Sequence, residues 1–133
     1  MSRWKASLDH AEKRIDDLCA EITKLADLAS EYWITPQADA KIPVLQARIS
    51  SGLVRIATMR VTLSKFVLGL ADERLVDLES SFVRQATGGD FGVHNRAPSQ
   101  STAAAAQHAG SALVVEIRRS RLASFTRWWT PKV

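Results

Sequence analysis

Apolar residues recur in alternating steps of four and three through the middle of the chain, from Leu45 to Leu70. This spacing places them on one face of an α-helix, predicted over residues 43–70 with Pro43 at its start. At 1.5 Å per residue the apolar run would be about 39 Å long, so other long helices must flank it. The pattern predicts an all-α fold, an antiparallel helical bundle organised around this helix. The predicted apolar seam is Leu45, Ile49, Gly52, Ile56, Met59, Leu63, Phe66 and Leu70.

Three further helices are predicted over residues 3–33, 72–86 and 100–129. The second of these is short, so the bundle has three long helices and one shorter helix, with a loop over about 87–99. With 133 residues, the chain fits one domain spanning residues 1–133. Gly52 lies on the central seam, where we expect a crossing helix to come close, with a hinge as the alternative.

The first helix repeats its apolar residues over four heptads, a pattern typical of coiled-coil-like seams. Ile15 and Ile22 occupy one seam position. Leu18 and Leu25 occupy the other, and parallel two-stranded coiled coils prefer this arrangement. Further apolar residues widen the stripe, which suits burial inside a bundle. The pattern allows a helix buried within one chain or a coiled-coil pair of two chains. We expect a homo-oligomer, with a dimer through this helix favoured, or a protein partner.

The charge of the chain, +4 overall with a pI near 9.6, alternates in sign along the sequence. Residues 1–34, 35–70, 71–92 and 93–133 carry −2, +4, −3 and +5 respectively. Segments of opposite sign attract when they pack side by side, so we expect much of the basic charge to be neutralised within the molecule. The basic pI is therefore weak evidence for nucleic-acid binding.

The chain shows no signal of secretion or membrane insertion. Its only cysteine, Cys19, is read as an apolar filler beside a helical seam and indicates a reducing compartment. The first residues lead straight into a charged amphipathic segment, so we expect no signal peptide. Arg55, Arg60 and Lys65 interrupt the most apolar stretch, which argues against a transmembrane helix. We expect a cytoplasmic protein.

The predicted loop holds glycine and polar residues, and Asp90, His94 and Arg96 are the residues that could bind an anion or a nucleotide there. Glycine loops that bind phosphate follow a strand and open into a helix, whereas these glycines follow a helix. Helix termination is the simpler interpretation. The histidines lack ligand-spaced partners, so we expect no metal site, and no pattern indicates a cofactor.

The second candidate site is a basic and aromatic cluster near the end of the last helix. On a helical wheel Arg121 falls within the apolar face, so it must pair with a carboxylate, which the acidic third segment could supply. A phosphate-bearing partner and peripheral contact with a membrane surface are the alternatives. Arg and Trp also anchor protein interfaces, so the cluster could be a docking patch. Its residues are Arg118, Arg119, Arg121, Arg127, Trp128 and Trp129.

Strong apolar seams without a recognisable set of reacting groups favour a non-enzymatic interaction or oligomerisation module. The first alternative is a nucleic-acid or anionic-surface binding protein that uses the basic last helix. The second alternative is phosphate or nucleotide chemistry at the 87–96 loop.

Overall fold

The part of the chain that the structure describes contains four α-helices and no β-strand. In this computed structural model the backbone is described for residues 3–65, 70 and 72–129, and side chains for residues 9–65, 70 and 72–120. The helices are α1 (Arg3–Ile34), α2 (Ile42–Ser64), α3 (Glu73–Thr87) and α4 (Gln100–Trp129). They pack against one another as a bundle, which confirms the all-α prediction. Apart from the end of α2, the predicted boundaries agree with the observed ones to within one residue.

The end of α2 is where the sequence prediction is wrong. The helix ends at Ser64 rather than at residue 70, and Lys65 closes its last turn by donating to the carbonyl of Thr62. Ser64 Oγ donates to the carbonyl of Val61 at 2.6 Å, a local bond that competes with helix continuation. Leu63 and Leu70 are both buried. The seven-residue spacing therefore predicted burial correctly but not an unbroken helix.

The centre of the bundle is α1, not the segment from Leu45 to Leu70. α1 packs against α2 on one side and α4 on the other, and α3 packs mainly on α4. Among the described residues, no packing contact joins α2 to α4. The heptad seam of α1 is fully used by these neighbours, since Ile15, Leu18 and Ile22 are almost completely buried. Of the two interpretations of that seam, the structure shows the buried bundle helix.

Contacts between neighbouring helices give their relative directions. Between α1 and α2, Glu21 meets Arg55, whereas Tyr32 meets Gln46, so residue numbers rise on one helix as they fall on the other. The same reversal relates α1 to α4 and α3 to α4. Each of these packed pairs is therefore antiparallel, as the sequence predicted. The contacts that show it are Asp16–Arg118 and Asp27–Gln107, and Arg74–Glu116 and Phe82–Gly110.

Two glycines allow α1 to approach its neighbours closely. A Cβ atom on Gly52 would collide with the side chain of Leu25, so a helix does come close at Gly52, as predicted, and that helix is α1. On the other side of α1, a Cβ atom on Gly110 would lie 2.9 Å from the Cβ of Ala26. Both positions are buried; a side chain at Gly52 would displace the side chain of Leu25, and one at Gly110 would press against the Cβ of Ala26.

Ion pairs between helices follow the alternating charge of the sequence. Glu21 on α1 pairs with Arg55 on α2 at 2.5 Å, and Asp16 pairs with Arg118 on α4 at 3.0 Å. Arg60 on α2 pairs with Glu79 on α3, and both side chains are largely buried. Each pair joins a basic segment to an acidic one, so part of the basic charge is neutralised internally, as expected.

Candidate interaction face

One face of α2 carries a second line of small and apolar residues that the core does not use. Its steps alternate three and four, like the buried seam of the same helix, and it contains no charged residue. Its valines are the most exposed apolar side chains of α2: Val54 is 68% exposed, Val44 52% and Val61 51%. We call this line the α2 stripe, and it comprises Val44, Ala47, Ser51, Val54, Thr58 and Val61.

The α2 stripe lies opposite the core face of its helix. At 100° per residue it is centred about 180° from the buried line that includes Leu45, Ile49 and Ile56. Thr58 donates its hydroxyl to the carbonyl of Val54 at 3.0 Å, so its hydrogen-bonding need is met within the helix. α2 therefore has apolar residues on two opposite faces, and only the face with Leu45 and Ile49 packs against the other described residues of this chain.

Basic residues border the α2 stripe along the side that faces α1. α2 contains three arginines and no acidic residue. Arg60 and Arg55 pair with glutamates of neighbouring helices, whereas the side chain of Arg48 makes no hydrogen bond or ion pair with any described residue. The opposite border consists of Ser50, Ala57 and Ser64 and carries no charge. The stripe is therefore basic on one side and neutral on the other.

A groove of about 350 Å³ runs between α1 and α2 beside this basic border. Arg48, Arg55 and Lys24 contribute positive charge to its lining, and Glu21 is its acidic residue. Leu28 of α1 also lines the groove and is partly buried. The groove and the α2 stripe share Ser51, so they form one continuous surface.

The three loop residues predicted as a possible anion site have different surroundings. Arg96 is only 5% exposed, whereas Asp90 and His94 are exposed. Arg96 Nη2 donates to the carbonyls of Tyr32 and Thr35 at 2.6 and 2.9 Å. These carbonyls end α1, where the helix dipole is negative, so the guanidinium caps the helix. Arg96 Nε and Nη1 are buried without a hydrogen-bond partner among the described residues.

The glycines of this loop do not present a row of free N–H groups. Gly88 donates to the carbonyl of Arg84 at 2.7 Å, and Gly92 donates to the hydroxyl of Tyr32 at 2.9 Å. Val93 and Arg96 also donate within the loop. Gly89 and Gly92 have positive φ angles. Gly88, the first residue after α3, is extended, so the left-handed conformation begins one residue later, at Gly89. The loop is built to turn the chain, as the simpler interpretation held.

The basic cluster of α4 is described only in its first part. Arg118 donates to Asp16, and this hydrogen bond raises the pKa of the Arg118 guanidinium above its ordinary value. Arg119 lies 3.8 Å from Glu116, one turn earlier. The side chains of Arg121, Arg127, Trp128 and Trp129 lie outside the described residues. The predicted pairing of Arg121 with the third segment therefore stays a prediction, and the described basic partner of that segment's Glu79 is Arg60.

Among the described residues, no group of three or more His, Cys, Asp or Glu side chains is arranged to hold a metal ion. No described helix is both long and apolar enough to cross a membrane. Neither a scan against protein-family models nor searches of curated proteins and of solved structures finds a match for this chain. The interpretation of function therefore depends on the surface itself.

Sequence reasoning missed the α2 stripe, although its signal is present in the sequence. The alternation of three and four is complete from Val44 to Val61. Serine and threonine lower the average hydropathy of the α2 stripe. The seam through Leu45 and Ile49 is more apolar, so the sequence pattern predicted only that face as a packing face. A second periodic line on one helix is the signal that could have revealed it.

Proposed function

We propose that this protein is a non-enzymatic α-helical interaction module that docks a helix of a partner protein on the α2 stripe. The observation that supports the proposal is the exposure of three valines, Val44, Val54 and Val61, in one line on a helix whose other face is packed. Exposed apolar residues that occur singly are ordinary, whereas several aligned on one helix face indicate a candidate interaction site. An amphipathic helix is the natural occupant, because its own seam matches the three-and-four spacing.

Self-association is the other way to cover this surface. The α1 seam that favoured a homodimer is buried between α2 and α4, so among the described residues the α2 stripe is the surface we consider for a dimer. Two copies paired antiparallel through it would bring Arg48 of one copy towards Arg55 of the other, and like charges across a helix pair are unfavourable. We therefore favour a different protein over a second copy.

The basic residues of α4 support nucleic-acid binding less well than the α2 stripe supports docking. Arg118 and Arg119, the two whose side chains are described, both lie near carboxylates of the same chain. In each case that carboxylate competes with a phosphate for the guanidinium. The cytoplasm remains our proposed location, since a buried thiol at Cys19 is consistent with a reducing compartment.

The proposal is tested by one probe and two matched variants. The probe is a fluorescent, designed helical peptide with a leucine and alanine seam and glutamine at the flanking positions. Val54→Asp places a charge in the centre of the α2 stripe, and Val115→Asp places one on α4, where Val115 is 56% exposed. We expect Val54→Asp to weaken binding at least about tenfold, because a charge buried in an apolar interface without a partner is costly.

Val115→Asp should bind the peptide as the unmodified protein does. Circular dichroism melts of both variants check that each keeps its fold. The proposal is wrong if the peptide does not bind the unmodified protein, or if the two variants bind it equally.

A further inference from the structure

We infer that the helix docked on the α2 stripe is acidic along one flank, the flank that lies over the groove between α1 and α2. This inference rests on the proposed function and adds the chemistry of the partner. Its basis is the uneven charge on the two sides of the stripe. Carboxylates on that side of the docked helix would pair with Arg48, whose side chain forms no ion pair with the described residues of this chain.

All the charged residues of α2 are basic. α2 carries three arginines and no acidic residue, and two of the arginines are neutralised by glutamates from α1 and α3. The third, Arg48, is exposed and makes no ion pair or hydrogen bond with the described residues. An unpaired arginine presents five donors in a rigid fork, which matches a carboxylate.

Other cations line the groove beside Arg48. Lys24 of α1 lines the same groove and is exposed, and it makes no ion pair or hydrogen bond with the described residues. Arg55 completes the basic border, and its one carboxylate, Glu21, is mostly buried beside it. The groove therefore holds more positive charge than the chain neutralises. A carboxylate entering it would find two cations without competing for Glu21.

The opposite border of the α2 stripe is uncharged in α2. Ser50, Ala57 and Ser64 are small and uncharged, so a partner helix can approach closely there. Among the described residues of α2, none on that border offers a charge to the partner. The partner should therefore concentrate its glutamate or aspartate residues at the flanking positions nearest α1, which also fixes its orientation on the stripe.

A nucleic acid fits this surface less well than an acidic helix. The basic residues form only one border, and the remainder of the surface is the apolar line through Val44, Val54 and Val61. A phosphate backbone would leave that line exposed. An acidic amphipathic helix covers the valines and reaches Arg48 at the same time, so both features of the surface are used.

The test uses three designed helical peptides with the same leucine and alanine seam and with Glu, Gln or Lys at the flanking positions. We expect the Glu peptide to bind the full chain on the order of tenfold more tightly than the Gln peptide, since a few exposed ion pairs each add modestly. The Lys peptide should bind more weakly than the Gln peptide. The advantage of the Glu peptide should shrink as salt is raised from low to high ionic strength.

Two variants locate the effect. Arg48→Gln should remove much of the advantage of the Glu peptide and leave binding of the Gln peptide unchanged. Arg119→Gln removes an exposed arginine of α4 and should keep the full advantage, so it controls for a general loss of positive charge.

The outcomes separate this inference from the function on which it rests. If all three peptides bind equally and Val54→Asp weakens them, the acidic partner is excluded but docking on the α2 stripe stands. If none binds, both proposals fall. If the protein alone sediments as a dimer that Val54→Asp dissociates, the occupant is a second copy and the acidic partner is overturned. The inference holds if the Glu peptide binds best and Arg48→Gln selectively lowers that preference.

Discussion

The guanidinium carbon of Arg96 lies 4.0 Å from the centre of the Tyr32 ring. The same guanidinium donates to the carbonyl of Tyr32, so one side chain stacks on a residue and caps its backbone. Trp33 adds a second ring at 5.3 Å and donates its indole N–H to the carbonyl of Ala86 on α3. Hydrogen bonds of Arg96 and Trp33 therefore join the end of α1 to the 88–99 loop and to the end of α3. Contact of the Arg96 guanidinium with the two aromatic rings adds to them.

Arg96→Ala should lower the free energy of unfolding by about 2–4 kcal/mol, because it removes charge-assisted bonds to two helix-terminal carbonyls and the stacking on Tyr32. Urea denaturation measures the effect. His94→Ala is the matched control, since His94 is an exposed residue of the same loop and should change stability by less than about 0.5 kcal/mol. Equal effects at the two positions would show that Arg96 is not the structural cap described above.

Gly110→Ala should destabilise the protein by about 1–3 kcal/mol, because the added methyl group meets the Cβ of Ala26, which moves only with the backbone of α1. In an open helix the same change would stabilise by up to about 1 kcal/mol. The sign of the effect therefore reports the close packing of α1 and α4. Ser111→Ala, one residue along and exposed, should be neutral or slightly stabilising in the same thermal melts. A stabilising Gly110→Ala would contradict the close approach.

Arg60→Ala should cost about 2–4 kcal/mol, because it leaves Glu79 largely buried without its ion-pair partner. Arg60 also donates to the carbonyl of Leu70 at 3.2 Å, so it ties the chain after α2 to the core. Arg74→Ala removes an exposed arginine 3.7 Å from Glu116 and should cost less than about 1 kcal/mol. A double-mutant cycle of Arg60→Ala and Glu79→Ala, measured by chemical denaturation, should give a coupling energy well above that of the Arg74–Glu116 pair. Similar coupling energies would contradict the role given to the Arg60–Glu79 pair.

The apolar spacing in the sequence predicted which residues are buried better than it predicted how the helices are arranged. Ile49, Ile56 and Leu63 are buried as expected. Helix α3 also begins within one residue of its predicted start, and Asp72 caps it by accepting a bond from the N–H of Arg74. Periodicity reports a face and not the partner that covers it. The sequence therefore could not show that α1, rather than α2, packs against all three of the other helices.

The roles of the charged residues could be predicted only in part. Alternating segment charge correctly indicated attraction between neighbouring helices, but the individual partners depend on helix rotation. Arg96 was expected as a possible ligand-binding residue. Its actual partners, the carbonyls of Tyr32 and Thr35, lie more than sixty positions away in the chain. Contacts over such separations are set by the fold, and no local pattern encodes them.

The mass of the protein in solution should be that of one chain, 14.7 kDa, at micromolar concentration. The reason is that the α1 seam is covered within the chain and that pairing two α2 stripes brings arginines together. Sedimentation equilibrium over a range of concentrations measures it. A stable dimer would instead favour self-association through α2, and its dissociation by Val54→Asp would locate the interface.

The most direct test of the account is a chemical-shift map of the 15N-labelled protein titrated with the Glu-flanked peptide. We predict that the perturbed amides fall on α2 between Val44 and Val61 and on α1 around Lys24, while those of α3 and the 88–99 loop keep their shifts. A small chain of this size gives resolved backbone spectra, so each helix is read separately. Perturbations confined to the basic end of α4, or none at saturating peptide, would contradict docking on the α2 stripe.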